Sequence, residues 1–427
     1  MDFNGLSIDQ APPISAPLRF FLSAPLFGIF AGVLLLFVDP ANLVSRFSME
    51  SIAVVHAITI GFFGFVMLGA LTQMLPVLAG VKIVEVEMLT RYAHISLVVG
   101  VIALVSGFLS GVTFFFLLAM VGLGIGFLSL LLFIALSIKD VKNFTPTVKN
   151  MAISVVFALA SVVFGLLLLG EYLQESTTSL HLFLANIHSV WAIFGFAGIL
   201  LIGVAFQVLP MFYVAPAFKN FCLSKVAKII STGLVLWLFL NLFLVEYSYI
   251  AKICIALFFW AFATTAWLKL NQRKRKVSDI TIWYWRVAAL SLSVGAFFWV
   301  GDEYFHSEYT VLVGLFFGLG FLMSIMMGML YKIIPFLVWF HLNGAGYMSI
   351  PTMNEMIDKR LSKLQFLLFM ISFGGFVLSF FMPQFLWFFA LTFILSMAIL
   401  EYNVMSCALL YAKIKKTKPD FDMSAFK

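Results

Sequence analysis

Charged residues are scarce in this chain. Of its 427 residues only 11% are Asp, Glu, Lys or Arg, less than half of the roughly 25% that soluble domains carry. That shortage, beside a hydrophobic share of 63% and a mean hydropathy of +1.09, excludes a soluble globular protein. Cysteine is scarcer still. Cys222, Cys254 and Cys407 stand far apart with no CxxC or CxxCH spacing, which argues against a disulfide framework and against a covalently attached c-type haem. Linkers and low-complexity segments are lacking too, so residues 1–427 read as a single integral membrane domain. The stretch from Met1 to Pro17 is polar and contains proline, with no cleavage-site pattern ahead of Arg19. The first apolar run is therefore read as a retained helix and not a signal peptide.

What fills the chain is apolar helix. A span needs roughly 20 apolar residues to cross about 30 Å of hydrocarbon, and twelve such segments are predicted, at about 18–38, 51–79, 92–111, 113–137, 150–170, 180–213, 225–246, 249–270, 282–301, 309–340, 361–382 and 384–411. The fold class is thus an all-α polytopic membrane protein. Numbering the connections alternately sorts the cations sharply. Nearly all of the 26 Lys and Arg fall on the side of the N-terminus, and only Arg46 and Lys252 fall opposite. By the positive-inside rule both termini are cytoplasmic. The run Arg273 to Lys276 belongs to one of these inner loops, and the net charge of +7 tracks the loops in the same way. No nucleic-acid partner is implied; the lipid bilayer is.

The sequence also repeats itself. Gly69, Gly203 and Gly328 are each preceded, eight residues earlier, by Gly61, Gly195 and Gly320. Four residues after them come Gln73, Gln207 and Lys332, and seven after them Pro76, Pro210 and Pro335. The helices so marked, 51–79, 180–213 and 309–340, lie four helices apart. This spacing predicts three four-helix units of one orientation, in a pseudo-threefold arrangement about an axis along the membrane normal. Spaced glycines let such helices pack closely.

Four of the six histidines gather at one depth on these repeat helices. His56 lies 13 residues before Gly69 and His188 lies 15 before Gly203, while His181 and His306 each lie 22 before the late glycine of their unit. His181 and His188, seven apart, share a helical face. A polar side chain in a span is costly and tends to face an interior site. Neutral imidazole is the commonest protein metal ligand, suited to copper and haem iron. His56 and His188 are therefore the candidate cofactor ligands, and His56, His188, His181 and His306 the candidate metal ligands. A single buried histidine is also read as an ordinary hydrogen-bonded residue, which is the reading for His94 and His341 at the cytoplasmic ends. The acidic mouth of Asp302, Glu303 and Glu308 reads either as second partners that orient imidazoles or as a solvated loop.

Two segments carry a resemblance: HAITIGFFGFVMLGALTQMLP from His56 to Pro76, and HSVWAIFGFAGILLIGVAFQVLP from His188 to Pro210. With the twelve-helix threefold plan, they resemble the catalytic subunit of the haem-copper oxidase superfamily, and within it the NnrS-like membrane proteins of bacteria, which are linked with nitric oxide stress. The resemblance implies a place in the bacterial inner (cytoplasmic) membrane, a low-spin b-type haem on His56, a metal such as copper on His188, and a role in nitric oxide tolerance or metal handling. The departures bear on activity. Where the oxidases carry a histidine pair on helix 10, this chain has Val313 and Leu315, and its helix 7 has no histidine between Ser231 and Glu246. A three-histidine copper centre beside a haem cannot be assembled, so a terminal oxidase is not expected. Two other readings stay open. One is a secondary transporter of a small solute, with Glu401 as nearly the only carboxylate deep in a span. The other is an electron-transfer subunit of a respiratory complex.

Overall fold

The computed structural model of the chain describes residues 10–81, 83–141, 144–277, 279–302 and 309–421. Among these residues the secondary structure is helical, with no strand, and twelve helices are long and apolar enough to cross a membrane. They are α1 (Ser15–Phe37), α2 (Met49–Ala79), α3 (Val86–Ser110), α4 (Thr113–Lys139), α5 (Pro146–Leu173), α6 (His181–Tyr213), α7 (Asn220–Phe243), α8 (Val245–Asn271), α9 (Ile280–Gly301), α10 (Thr310–Gly344), α11 (Lys359–Ser379) and α12 (Pro383–Ile414). Several begin a turn or more before the apolar run. α3 starts at Val86, so that Glu87 and Arg91 form an exposed pair one turn apart. Helical backbone continues past the hydrocarbon because it satisfies its own polar groups there as well. With twelve crossings, the start of α1 and the end of α12 lie on one face of the bundle, here the terminal face. The opposite one is the far face.

Packing between helices repeats every four. α1 packs on α2, α5 on α6 and α9 on α10. α3 pairs with α4, α7 with α8 and α11 with α12. The units are joined by α4 on α5, α8 on α9 and, closing the ring, α12 on α1. The helices that lead the repeat occupy the interior. In their most apolar stretches 67% (α2), 78% (α6) and 67% (α10) of residues are buried, against 22–56% for the other nine spans. All-round burial removes any need for an amphipathic pattern, and these helices are apolar on every side.

The repeated glycines have a repeated reason. A Cβ at Gly61 would stand 2.4 Å from Phe27 of α1, one at Gly195 2.5 Å from Phe157 of α5, and one at Gly320 2.5 Å from Ser291 of α9. The late glycines meet the same three helices one heptad earlier in each. Gly69 meets Phe20 and Phe21, Gly203 meets Asn150, and Gly328 meets Tyr284. In each unit the first helix thus lies flush against the backbone of the second, a contact that any side chain would prise apart.

Each interior helix also changes its hydrogen-bond register at that level. Thr59–Gly64 of α2, Trp191–Gly198 of α6 and Leu315–Met323 of α10 are π-helical. Such segments are rare and recur at functional sites. The α10 segment meets the other two, and α2 and α6 meet just ahead of theirs. Phe63 reaches to 4.0 Å from the Cβ position of Gly318, the rings of Phe194 and Phe317 lie 4.9 Å apart, and α2 meets α6 through His56 and His188.

One polar network inside the bundle is paired off, as a low-dielectric interior favours. Tyr284 and Tyr331 both donate to Gln365 Oε1, Gln365 Nε2 donates to Ser396 at 2.9 Å, and Asn403 donates to the Tyr331 hydroxyl. At the terminal end of α10, Lys332 pairs with Asp279, the N-cap of α9, which also accepts from Thr281 at 2.9 Å. On the far face, Arg46 donates to Asn186 of α6, and Lys252 lies over the Trp299 ring. The two cations found there are therefore both drawn onto the bundle.

Candidate metal or haem site

His56 and His188 come together. Their ring centroids are 6.1 Å apart and their planes are within 14° of parallel. His56 Nδ1 is 2.8 Å from the carbonyl oxygen of Ile52, one turn back in its own helix. His188 Nδ1 is 2.9 Å from the carbonyl oxygen of Ser161 in α5. A carbonyl only accepts, so each Nδ1 carries the hydrogen and each Nε2 bears the lone pair. Among the described residues neither Nε2 has a hydrogen-bond partner, and both side chains are only half-buried. This is the tautomer and the anchoring found on metal-ligating imidazoles, whose other nitrogen is held by a carbonyl or carboxylate.

The unequal spacing of the two histidines has a structural cause. Each stands three residues before its π-helical segment, and so does Leu312 in α10. In all three helices the first π-helical N–H is shared between the carbonyls of that residue and the one before it: Thr59 with His56 and Val55, Trp191 with His188 and Ile187, Leu315 with Leu312 and Val311. The π segments run to 6, 8 and 9 residues, and the three positions lie 13, 15 and 16 residues before Gly69, Gly203 and Gly328. The difference in offset is the difference in π length. Counted from the start of the π segment, His56, His188 and Leu312 hold the same place, and the third unit has an aliphatic side chain there where the first two have imidazoles.

Neighbouring helices pack around the pair. Gly165 of α5 lies under the His188 ring. A Cβ there would be 3.0 Å from its Cε1, 3.4 Å from Nδ1 and 3.9 Å from Nε2. Glycine costs an exposed helix interior up to about 1 kcal/mol relative to alanine, and Gly165 is helical with no positive φ, so the ring above it accounts for the missing side chain. Phe108 of α3 flanks His56 at 6.1 Å. From Phe108 a chain of rings runs toward the far face through Tyr172 at 5.1 Å to His181 at 5.9 Å. Nothing in the spacing singled out Gly165, Ser161 or Phe108. One helical glycine among 29 and one carbonyl have no signature of their own.

The remaining sequence-predicted ligands fall elsewhere. His181 heads α6, where its Nδ1 pairs with Glu171, which also accepts from Thr178. Its engagement is with that carboxylate at the rim. Among the described residues no group of three or more His, Cys, Asp or Glu converges to hold a metal ion, so His181 does not join His56 and His188 in a three-ligand cluster. His306, Glu303 and Glu308 lie outside the described residues. His94 hydrogen-bonds Ser23 at 2.7 Å between the rings of Phe20 and Phe65. His341 packs against Phe340.

A metal about 2.0–2.1 Å from each Nε2, with roughly 1.1 Å from nitrogen to ring centre, puts two ligating imidazole centroids at most about 6.4 Å apart. The observed 6.1 Å falls just inside that bound. Two neutral nitrogens are half of what a tetrahedral structural zinc site requires. His56 and His188 could instead hold a haem iron or a low-coordinate copper ion, for which two imidazoles from the protein are enough. Protein-family models and curated proteins give no match to this chain.

Proposed function

We propose that this multi-pass membrane protein holds a metal centre, haem iron or copper, between His56 of α2 and His188 of α6. The single observation that carries the reading is the pair itself. Equivalent positions of two repeat units present near-parallel imidazoles 6.1 Å apart, each with Nδ1 fixed by a carbonyl and Nε2 free. Bound there, haem iron or copper would supply a centre able to take up or release an electron. The chain's own residues would fix the ligand orientation, through the Ile52 and Ser161 carbonyls and the space left by Gly165. The Phe108 ring would also flank the centre on the His56 side.

With this centre the protein reads as an NnrS-like relative of the haem-copper oxidase subunits, in a bacterial inner membrane with both termini cytoplasmic, serving nitric oxide tolerance or metal handling. The equivalent position in the third unit, Leu312, supplies no ligand, which supports a smaller centre than a terminal oxidase needs. The experiment is an absorption spectrum and elemental analysis of the purified protein. A Soret band or stoichiometric copper is expected; a colourless preparation free of both would overturn the reading.

A further inference from the structure

A second feature lies on the opposite flank of the bundle, where α12 meets α1. Glu401 stands near the middle of α12, 15 residues from Leu386 and 13 from Ile414, so about 20 Å of helix separates it from either end at 1.5 Å per residue. The antiparallel register of α11 and α12, set by Ser372 with Thr392 and Gln365 with Ser396, places this carboxyl level with the first turn of α11, toward the terminal face. Its Oε2 is shielded from solvent and has no hydrogen-bond partner, and it is the one carboxylate oxygen among the nine such buried side-chain atoms of the described residues. The side chain lines a crevice of about 440 Å³ whose other walls are Ile29 of α1 and Ala398, Tyr402, Met405, Ser406 and Leu409 of α12. Tyr402 and Leu409 are both 62% exposed on the outer surface of the bundle. In a bilayer this surface faces acyl chains, so the crevice is entered sideways from lipid.

A lone carboxyl in that setting is expensive unless something pairs with it. Neither a cation nor a hydrogen-bond donor of this chain is given to Glu401 among the described residues. A partner that fits both the carboxyl and the lipid-facing walls carries an apolar body and presents a positive N–H. The walls suit such a body: aliphatic side chains, a flexible methionine and one aromatic ring able to face a cation. An anion is repelled, and a small hydrated cation would leave the apolar walls unfilled.

We propose that the α1–α12 crevice binds amphipathic organic amines from the bilayer, with the protonated amine hydrogen-bonded to Glu401. The site is independent of the histidine pair and stands whether or not that pair holds metal. The probe is a diazirine-bearing dodecylamine, with the matching dodecanol as its neutral control, added to the protein in phosphatidylcholine nanodiscs. Light should attach the amine to peptides containing Ile29 or Met405, and the alcohol should show no such preference. Glu401→Gln should weaken amine labelling at least tenfold while leaving the weak alcohol labelling unchanged. Three results would each overturn the proposal: amine spread evenly over the lipid-facing helices, alcohol labelling of the same peptides, or a Gln variant that labels like wild type. The first two are read on wild-type protein alone, so the test holds even where the variant does not fold.

Discussion

His188 occupies the space that a side chain on Gly165 would fill, with its Cε1 3.0 Å from where that Cβ would be. Gly165→Ala therefore sets a methyl group against the imidazole face, while alanine favours the helix itself by up to about 1 kcal/mol. The ring must tilt, and metal retention should fall about tenfold, or roughly 1.4 kcal/mol, with thermal stability unchanged or slightly raised. Gly165→Leu should abolish binding. Metal content after dialysis against a graded chelator, read beside a melting curve, separates the two effects.

The repeat glycines offer a control within one fold. Gly195→Ala drives a Cβ to 2.5 Å from the Phe157 ring, and overpacking of this kind costs about 1–3 kcal/mol. Gly314→Ala, in the equivalent helix of the third unit, meets nothing within 4 Å. The first variant should melt well below wild type in detergent and the second should match it. Equal melting of both would remove the close-packing account of the repeat.

The ion pair between Lys332 and Asp279 gives a pH dependence. Burial acts to raise the Asp279 carboxyl, but the charge of Lys332, with its hydrogen bond and those from Thr281, outweighs it and leaves the pKa below the ordinary carboxylate value. A depressed folded-state pKa stabilises the protein above the unfolded value of about 3.9 and is lost as pH falls through the folded one. Wild type should hold its melting temperature down to about pH 4–5 and lose it below. Asp279→Asn should be less stable near neutrality and flatter across the acid range. Breaking one partner of a buried pair costs about 3–5 kcal/mol; both side chains keep some exposure, 16% and 27%, so about 1–3 kcal/mol is expected here.

Which parts of this were legible beforehand follows from what leaves a mark on side chains. The twelve helices show as apolar runs, and the packing of α1 on α2, α5 on α6 and α9 on α10 shows as glycines at fixed spacing, because close approach excludes a Cβ. The meeting of His56 and His188 is only half visible: their offsets of 13 and 15 read as unequal depths. The equivalence appears once π-helical segments of 6 and 8 residues are seen. A change of backbone register uses the same apolar residues as an α-helix, so composition and periodicity do not record it. His181 shows the converse limit. Its spacing places it on the face of His188, but a rim carboxylate, Glu171, takes its Nδ1, and that partner comes from the preceding helix.

Ligation can be separated from mere fold support by a ligand-by-ligand comparison. His181, tied to Glu171, should be dispensable for the centre: His181→Ala is expected to keep full metal content and to lose only some stability at the far face. Loss of metal from His181→Ala equal to that from His56→Ala would place a third ligand at the rim.

The most direct measurement is the ratio of iron and copper to protein in wild type, His56→Ala and His188→Ala purified side by side from membranes. A shared site between the two rings predicts one ion per wild-type chain and near zero in each single variant, with both variants still folded as twelve-helix monodisperse protein. Metal absent from wild type, or retained in either folded variant, would contradict it.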